Sequence, residues 1–476
     1  MTLFLNFKPM YFNTNYGEPK IYFIVKDFIV EPLGIMQLSA VLKAAGYKVD
    51  ILKTDKEDIF TILDKGNFIL LYSVLTGSQQ YFANLNYQLK FLHKQGKLFS
   101  VFGGPHPTYF SQYIEEEGID VICIGEGEYS LLQLISHLFS GKDYTTIPNC
   151  HVKVNGVVIK NDLLPLIQNL DLLPFPDREL IYKYNKHRDN PIKNFMGTRG
   201  CEFSCSYCFN SSAKKLYHNQ KFLRHRSPEF LINEILQVKR DYPLSFVFFQ
   251  DDNFILNSAW IEEVLDLYEK KVKLPFHCQL RVEKVTEDLI KHLFSAGCHS
   301  VTFAIESANS NIRKNILKRE MSTDLIVKAA YLIKEAGLKL RTENMLGIPT
   351  ETIKDMFETV KLNIKCIPTV GWASIYQPYP RTALGQYCNV LNLWDGENDF
   401  KETFFEQTNL KLKKRHKRII NNLQKLFGVV VKYPKLLPLI RLLVRLPENR
   451  FYNKFSIWFR RRLYAKELYA VKGNKL

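Results

Sequence analysis

The strongest constraint on this chain is an alternation of short apolar runs with helix-period segments that occurs twice along its 476 residues. Within residues 1–150, strand patterns fall at Leu3–Phe7, Lys48–Leu52, Phe68–Tyr72, Leu98–Phe102 and Val121–Ile124. Helix patterns fall at Leu33–Ala45, which stops at Gly46, at Gln79–Lys94 and at Tyr129–Phe139. Gly is favoured just past a helix end because it adopts the left-handed backbone without strain. Strands alternating with helices predict βαβ units and a parallel sheet. In such sheets ligands bind outside the carboxyl ends of the strands, and glycine there lets a large ligand approach the backbone. Glycine-rich turns occur at those ends, at residues 73–78, at Gly103-Gly104-Pro105-His106-Pro107 and at Gly125-Glu126-Gly127-Glu128. On spacing alone they read either as a ligand cradle or as tight βα turns.

Residues 151–190 read as a linker, because the prolines of Leu172-Leu173-Pro174-Phe175-Pro176-Asp177-Arg178 exclude a regular helix. The alternation resumes near 191. Ser227-Pro228-Glu229 is a helix start, with Ser as N-cap and Pro at the first helical position. Phe246–Phe249 is a buried-type strand ending in Gln250-Asp251-Asp252-Asn253. Carboxylates at the C-terminal end of a strand read as functional in a barrel, and alternatively as an Asx turn. Phe276–Leu280, Ser300–Ile305, Leu338–Asn344 and Trp372–Tyr376 follow, and with the strands near 194 and 246 they predict six βα units.

Between the first two of these strands lies Cys201-Glu202-Phe203-Ser204-Cys205-Ser206-Tyr207-Cys208, a C-x3-C-x2-C spacing after Gly197 and Gly200. Thiolates select zinc or iron–sulfur clusters. A [4Fe–4S] cluster normally takes four cysteines, so three leave one iron open. The alternatives are a closed zinc site completed by His218, since structural zinc is four-coordinate, and buried unligated thiols.

This spacing, with an aromatic residue before the last cysteine, resembles the radical S-adenosylmethionine (radical SAM) family. The resemblance implies a [4Fe–4S] cluster on Cys201, Cys205 and Cys208, with S-adenosylmethionine on the open iron and a reactive adenosyl radical as the product of its cleavage. It implies cofactor contacts from Tyr207, from Asp251 or Asp252, from Glu306 and Ser307, and from Gly347 and Ile348. The order of the N-terminal turns resembles the cobalamin-binding domain that precedes the barrel in one subfamily. It implies cobalamin contacts from Leu33, Gly34, Ser73, Thr76, Gly103, Gly104, Pro105, His106, Gly125, Glu126, Gly127 and Glu128. The region that carries a cobalt-binding histidine in other cobalamin proteins here reads Asp55-Lys56-Glu57-Asp58-Ile59-Phe60, so no histidine ligates cobalt from below. His106, between two prolines in a turn, reads as part of the ring-packing loop and not as a cobalt ligand. The family usually has Gly after Pro378-Tyr379-Pro380, where this chain has Arg381.

The expected architecture is therefore α/β. It has a doubly wound, Rossmann-like cobalamin-binding domain (1–150), a linker (151–190), a partial (β/α)6 TIM-type radical SAM barrel (191–389) and a basic helical tail (390–476). Residues 401–476 hold 20 Lys and Arg against 4 Asp and Glu, so nearly all of the +17 net charge lies there. Pro434, Pro438 and Pro447 break the tail into short helices in which basic and apolar residues alternate. Such helices read as membrane-surface segments, here 411–470, and alternatively as a cap on the barrel with a solvated basic face. No nucleic-acid module is recognisable. Of the nine cysteines, the six outside the triplet sit singly in apolar segments, which predicts a reducing cytosol. The N-terminus lacks a basic region and reads as no signal peptide, and no run reaches the roughly 18 apolar residues of a spanning helix.

The expected activity is methyl transfer to an unactivated carbon by a cobalamin-dependent radical SAM enzyme. It would draw electrons from a flavodoxin- or ferredoxin-type partner and act on a small-molecule or lipid substrate, in the cytoplasm or at the inner membrane surface. The alternatives are a radical SAM rearrangement, cyclisation or oxidation with cobalamin in another role or absent, and a non-catalytic iron–sulfur or cobalamin sensing module.

Overall fold

The computed structural model describes residues 12, 16–255, 258–394, 400, 402–405 and 407–463, in two compact units, Met1–Arg188 and Asp189–Leu476. The strand expected at Leu3–Phe7 lies outside the described residues.

Unit one runs β1 (Lys20–Val25), α1 (Leu33–Ala44), β2 (Val49–Lys53), α2 (Ile59–Leu63), β3 (Phe68–Ser73), α3 (Gln79–Gln88), α4 (Lys90–Lys94), β4 (Leu98–Gly103), α5 (Pro105–Tyr109), β5 (Val121–Cys123), α6 (Glu128–Ser140), β6 (Cys150–Val154), β7 (Val157–Lys160), α7 (Glu179–Tyr182) and α8 (Asn185–Arg188). The sheet order is β2-β1-β3-β4-β5-β6-β7. The first five strands are parallel in the doubly wound 2-1-3-4-5 order, which reverses direction between β1 and β3. Strand β1, between β2 and β3, is one the periodicity reading passed over. Lys20-Ile21-Tyr22-Phe23-Ile24-Val25 has no polar alternation because both faces of an interior parallel strand are covered.

Two expectations for this unit are corrected. The helix expected over Gln79–Lys94 breaks at Leu89, whose N–H bonds to Asn86 three residues back. That tighter turn brings buried Leu89 and Leu92 towards the sheet together with Phe82 and Asn86. Residues 151–188, expected as a linker, belong to unit one. The β6–β7 hairpin extends the sheet in antiparallel register, and Leu170 and Leu173 pack on Val41 of α1. Arg178 and Tyr182 both bond to the buried Glu31 carboxylate, at 2.9 and 2.6 Å.

Unit two runs β8 (Ile192–Phe195), β9 (Thr198–Arg199), α9 (Phe209–Leu216), β10 (Arg224–His225), α10 (Pro228–Asp241), β11 (Phe246–Phe249), α11 (Ser258–Leu267), β12 (Phe276–Leu280), α12 (Glu287–Ser295), β13 (Cys298–Glu306), α13 (Thr323–Glu335), β14 (Lys339–Leu346), α14 (Ile353–Cys366), β15 (Val370–Ile375), α15 (Ala383–Val390), α16 (Lys414–Lys432), α17 (Leu437–Leu443) and α18 (Arg450–Leu463). Six parallel strands lie in the order β15-β14-β13-β12-β11-β8, the partial barrel that was expected. Local signals start the helices. The Ser227 side chain accepts from Phe230 N ahead of Pro228, and Thr352 with Asp355 forms a reciprocal capping box on α14.

The tail is not a separate layer. Ile419, Ile420, Leu423, Phe427 and Val430 of α16 enter one core with Leu346, Met356, Phe357, Ala373 and Ile375, so α16 covers the outer face of β14 and β15. Two glycines permit the close approach. A side chain added at Gly428 would lie 3.1 Å from the Gly371 carbonyl, and one at Gly371 would lie 2.9 Å from Val431 Cγ1. Over 414–432, therefore, the cap reading holds and the apolar face is unavailable to a membrane. Among the described residues no helix is long and apolar enough to cross a membrane.

Candidate cofactor sites

The loop carrying Cys201, Cys205 and Cys208 leaves β9 and ends where Cys208 becomes the residue before α9. Gly200 is required at its start: φ is +88° and the place of a side chain is filled by the Phe222 carbonyl at 2.6 Å. The loop is braced from outside. Ser206 N–H and Oγ donate to the carbonyls of Leu317 and Ile316, and the Ser206 carbonyl accepts from Leu384 N. Cys201 and Cys205 are buried and Cys208 is half-buried.

The sulfurs are prepared for a positive partner. Arg281 Nη1 lies 3.4 Å from Cys205 Sγ, while its guanidinium stacks on Phe203 and pairs with Glu283. Burial raises the Cys201 thiol and pushes that of Cys208 up to about 11, with Asp252 and the neighbouring cysteines adding to both. Such thiols become ligands when a metal centre displaces the proton. Among the described residues no three His, Cys, Asp or Glu groups converge where one metal ion could sit.

Around this loop the predicted residues divide. Tyr207 and Glu306 come together with an arginine that the sequence reading missed. Tyr207 OH donates to Glu306 Oε1 at 2.6 Å, Arg319 Nη1 donates to Tyr207 OH at 2.9 Å, and Arg319 Nη2 donates to the Ala304 carbonyl at 2.8 Å. Glu306 and Arg319 are buried and Tyr207 is half-buried, so the arginine balances a carboxyl that burial alone would push towards neutrality. Glu306 takes a left-handed backbone, φ +65°, where β13 breaks register with β14. Such strain in a non-glycine residue persists when the surroundings hold it and gathers at functional sites. Arg319 carries no local motif; it is found only once the loop after residue 312 folds back on β13.

Asp251 and Asp252 point differently. Asp251 Oδ1 accepts from Gly197 N at 3.0 Å and Thr198 Oγ1 at 2.6 Å, holding the start of the cysteine loop. Its Oδ2 is buried with no hydrogen-bond partner among the described residues, and burial pushes its pKa up to about 7. Asp252 is exposed, with Oδ2 accepting from Asn210 Nδ2 at 2.9 Å, two residues past Cys208. Ser307 is buried on the turn after β13. The Gly347 and Ile348 N–H groups are both taken by Glu351 Oε2, at 2.7 and 3.4 Å, so this turn offers a ligand no free amide. Gly347 has φ +77°, and a side chain added there would lie 3.0 Å from Ile420 Cδ1 of α16, so the tail backs the turn directly.

In unit one the three glycine-rich turns follow the adjacent strands β3, β4 and β5, and Leu33-Gly34 opens α1 after β1, across the point where strand order reverses. Gly104 has φ +93°, and a side chain there would meet Val74 N and O at 3.0 and 3.1 Å. A side chain added at Gly34, by contrast, would have nothing within 4 Å, and one at Gly103 nothing nearer than 3.8 Å. These two glycines leave open space of the kind a bulky planar ligand would fill. His106 is buried against Phe110 and Tyr113 and bonds Thr76 Oγ1 at 3.3 Å, joining two of the turns. Burial lowers its pKa to about 4, so the ring is neutral. Glu126 and Glu128 are structural as placed. Glu126 Oε2 accepts from Ile167 N at 2.9 Å, and Glu128 is buried at the start of α6. Within residues 55–60, Glu57 accepts from Lys53 N and Tyr184 OH, and Asp58 caps α2.

Residues 19–135 match the B12 binding domain and residues 196–362 the Radical SAM superfamily. An uncharacterized methyltransferase of Pyrococcus horikoshii, PH0819, is 30% identical over 300 residues, 62% of this chain and 64% of that protein. The chain thus spans slightly less than two thirds of that relative. Among solved structures, the cobalamin-dependent S-adenosylmethionine radical enzyme OxsB with aqua-cobalamin bound has the same fold at TM-score 0.68 and 15% identity, covering 94% of this chain and 72% of that one. The radical S-adenosylmethionine methyltransferase TsrM from Kitasatospora setae, with cobalamin and a [4Fe-4S] cluster bound, aligns at TM-score 0.64 and 15% identity over 78% of this chain and 75% of that one.

Proposed function

Because the chain belongs to the radical SAM superfamily and carries a B12 binding domain, we propose that it is a cobalamin-dependent radical SAM enzyme that methylates an unactivated carbon. The observation that carries this reading is the three-thiol loop, with Arg281 bonded to Cys205, in a chain that also holds an open set of glycine turns. When bound, the cluster and cobalamin supply the electron for S-adenosylmethionine cleavage and a carrier for the methyl group.

The chain's own residues have distinct tasks in this reading. Cys201, Cys205 and Cys208 hold the cluster, and Arg281 donates to the Cys205 sulfur. Asp251 positions the cysteine loop through Gly197 and Thr198, with its buried Oδ2 available to a cationic group. Asp252 adds a negative charge beside the thiols, suited to an ammonium. Tyr207, Glu306 and Arg319 form a rigid cluster at the cysteine loop, because each holds the other two. Leu33, Gly34, Ser73, Thr76 and Gly103 border the cobalamin space, while Gly104, Pro105, His106 and Gly125–Glu128 set the shape of its turns. The electron donor is a flavodoxin- or ferredoxin-type protein, the substrate a small molecule or lipid, and the place of action the cytoplasm or inner membrane surface.

The test is anaerobic reconstitution with iron, sulfide and cobalamin, then S-adenosylmethionine labelled in its methyl group. The reading requires bound cobalamin, 5′-deoxyadenosine that disappears in the Cys201→Ala, Cys205→Ala and Cys208→Ala variants, and label in the product once a substrate is supplied. Zinc uptake without cluster formation would overturn it.

A further inference from the structure

The distal half of the tail has a surface that neither cofactor site uses. Helix α17 buries Ile440, and Val444 just past its end, against the barrel core, yet Leu439 and Leu442 lie exposed on the helix and Leu446 in the turn after it, Leu442 at 61%. Leu439 and Leu442, at i and i+3, make a second apolar strip that Leu446 continues beyond the helix, where a surface helix normally presents polar residues. Helix α18 repeats the pattern. Tyr452, Ser456 and Phe459 are buried, while Phe451 at 69% and Trp458 at 54% face solvent. Tyr452 OH donates to the Leu443 carbonyl at 3.2 Å and ties the two helices together. Phe455 stacks with Phe451 and packs on Trp458, so the aromatic side is continuous.

The same segment is strongly basic. Residues 432–463 hold nine Lys and Arg and a single acid, Glu448, which is engaged by Asn421 Nδ2 at 2.8 Å. Arg441, Arg445, Arg450, Lys454, Arg461 and Arg462 are all exposed beside the apolar positions. Soluble monomers rarely leave large apolar side chains grouped in this way without a partner.

We propose that α17 and α18 dock onto an anionic lipid bilayer, with Leu442, Phe451 and Trp458 entering the headgroup boundary and the arginines pairing with lipid phosphates. A bilayer meets both features, because aromatic and leucine side chains favour its interface and anionic lipid attracts each nearby basic residue by roughly a fivefold gain in binding. A second copy of the chain would bring the same positive surface against itself. A polyanion without hydrocarbon would leave the leucines uncovered. This inference is independent of the proposed reaction and narrows the expected 411–470 contact to 437–463, since α16 is committed to the core.

The test is flotation of the full-length holoprotein with phosphatidylcholine vesicles, with and without phosphatidylglycerol. Binding is expected only with phosphatidylglycerol, weakening at high salt, with a blue shift of emission that a Trp458→Phe variant lacks. Leu442→Ser with Trp458→Ser should lower binding roughly tenfold or more, from lost apolar burial. Arg445→Glu with Arg461→Glu should lower it at least as far and remove its salt dependence. All four residues are exposed, so the unfolding midpoint and iron content serve as controls and should not change. The proposal fails if wild type does not float at low salt, or if the Leu442 and Trp458 changes leave flotation unaltered. It also fails if those changes abolish a dimer instead, or if heparin is bound and vesicles are not.

Discussion

Phe427 and Phe451 lie in the same basic tail, each amid apolar and cationic neighbours, yet truncation should affect them to very different extents. Phe427 is fully buried between β14, β15 and α14, whereas Phe451 is 69% exposed on α18. Removing a buried phenyl group forfeits its transfer free energy and leaves a cavity, a combined cost of about 3–5 kcal/mol. A domain of this kind has a net stability of roughly 5–15 kcal/mol, so Phe427→Ala should consume a large part of it. Phe451→Ala, with little burial to lose, should fall within about 0.5 kcal/mol. Because Ile420 of the same helix backs the Gly347 turn, the loss should extend to that turn. Equilibrium urea unfolding of both variants, with limited proteolysis to report which unit opens, measures the contrast. A cost below about 1 kcal/mol for Phe427→Ala, or equal costs for the two, would refute α16 as part of the barrel core and return it to the solvent-facing role.

Gly428→Ala gains about 1 kcal/mol in helix propensity but sets a methyl group 3.1 Å from the Gly371 carbonyl, an overpacking cost of about 1–3 kcal/mol, so thermal unfolding should shift down where an open helix site would shift up. Asp251 keeps its proton to about pH 7 when folded and loses it near 3.8 when unfolded, so the folded state binds more protons between those values and its stability falls as pH rises through them, by up to roughly 4 kcal/mol. Asp251→Asn retains an acceptor for Gly197 and Thr198 and should flatten that part of the profile; parallel wild-type and variant curves would count against the assignment. Arg319→Ala strips the buried Glu306 and its partner Tyr207 of their cation and should cost about 3–5 kcal/mol, whereas Tyr207→Phe, which removes one hydroxyl, should cost about 1–2 kcal/mol, both by denaturant titration. Arg281→Met removes the donor to Cys205 and should lower the cluster's reduction potential while leaving its iron content intact, which anaerobic spectroelectrochemistry can follow.

Most of what the sequence revealed is short-range. The cysteine spacing, the Ser227-Pro228 start and the strand runs from Phe246 to Tyr376 each lie within a few residues, and local propensity and period identify them. Strand β1 was passed over although its apolar run is of the same kind as those of β3 and β4. The β6–β7 hairpin escaped because prolines downstream drew attention to a linker, and its pairing with β5 is antiparallel in an otherwise parallel sheet.

The sequence by itself determined the two βα series, the thiol loop and the concentration of positive charge in the tail, since each is carried by residue type and spacing alone. Only the tertiary structure decided that Arg319 meets Tyr207 across 112 positions, that Arg281 reaches Cys205 across 76, and that Asp251 turns back to Gly197. It also divided a tail of uniform composition into a helix that completes the barrel core and two whose apolar stripes remain outside. The physical reason is the same in each case. Which face of a helix is buried, and which buried charge finds its partner, depends on surfaces contributed by distant segments, and no local pattern encodes them.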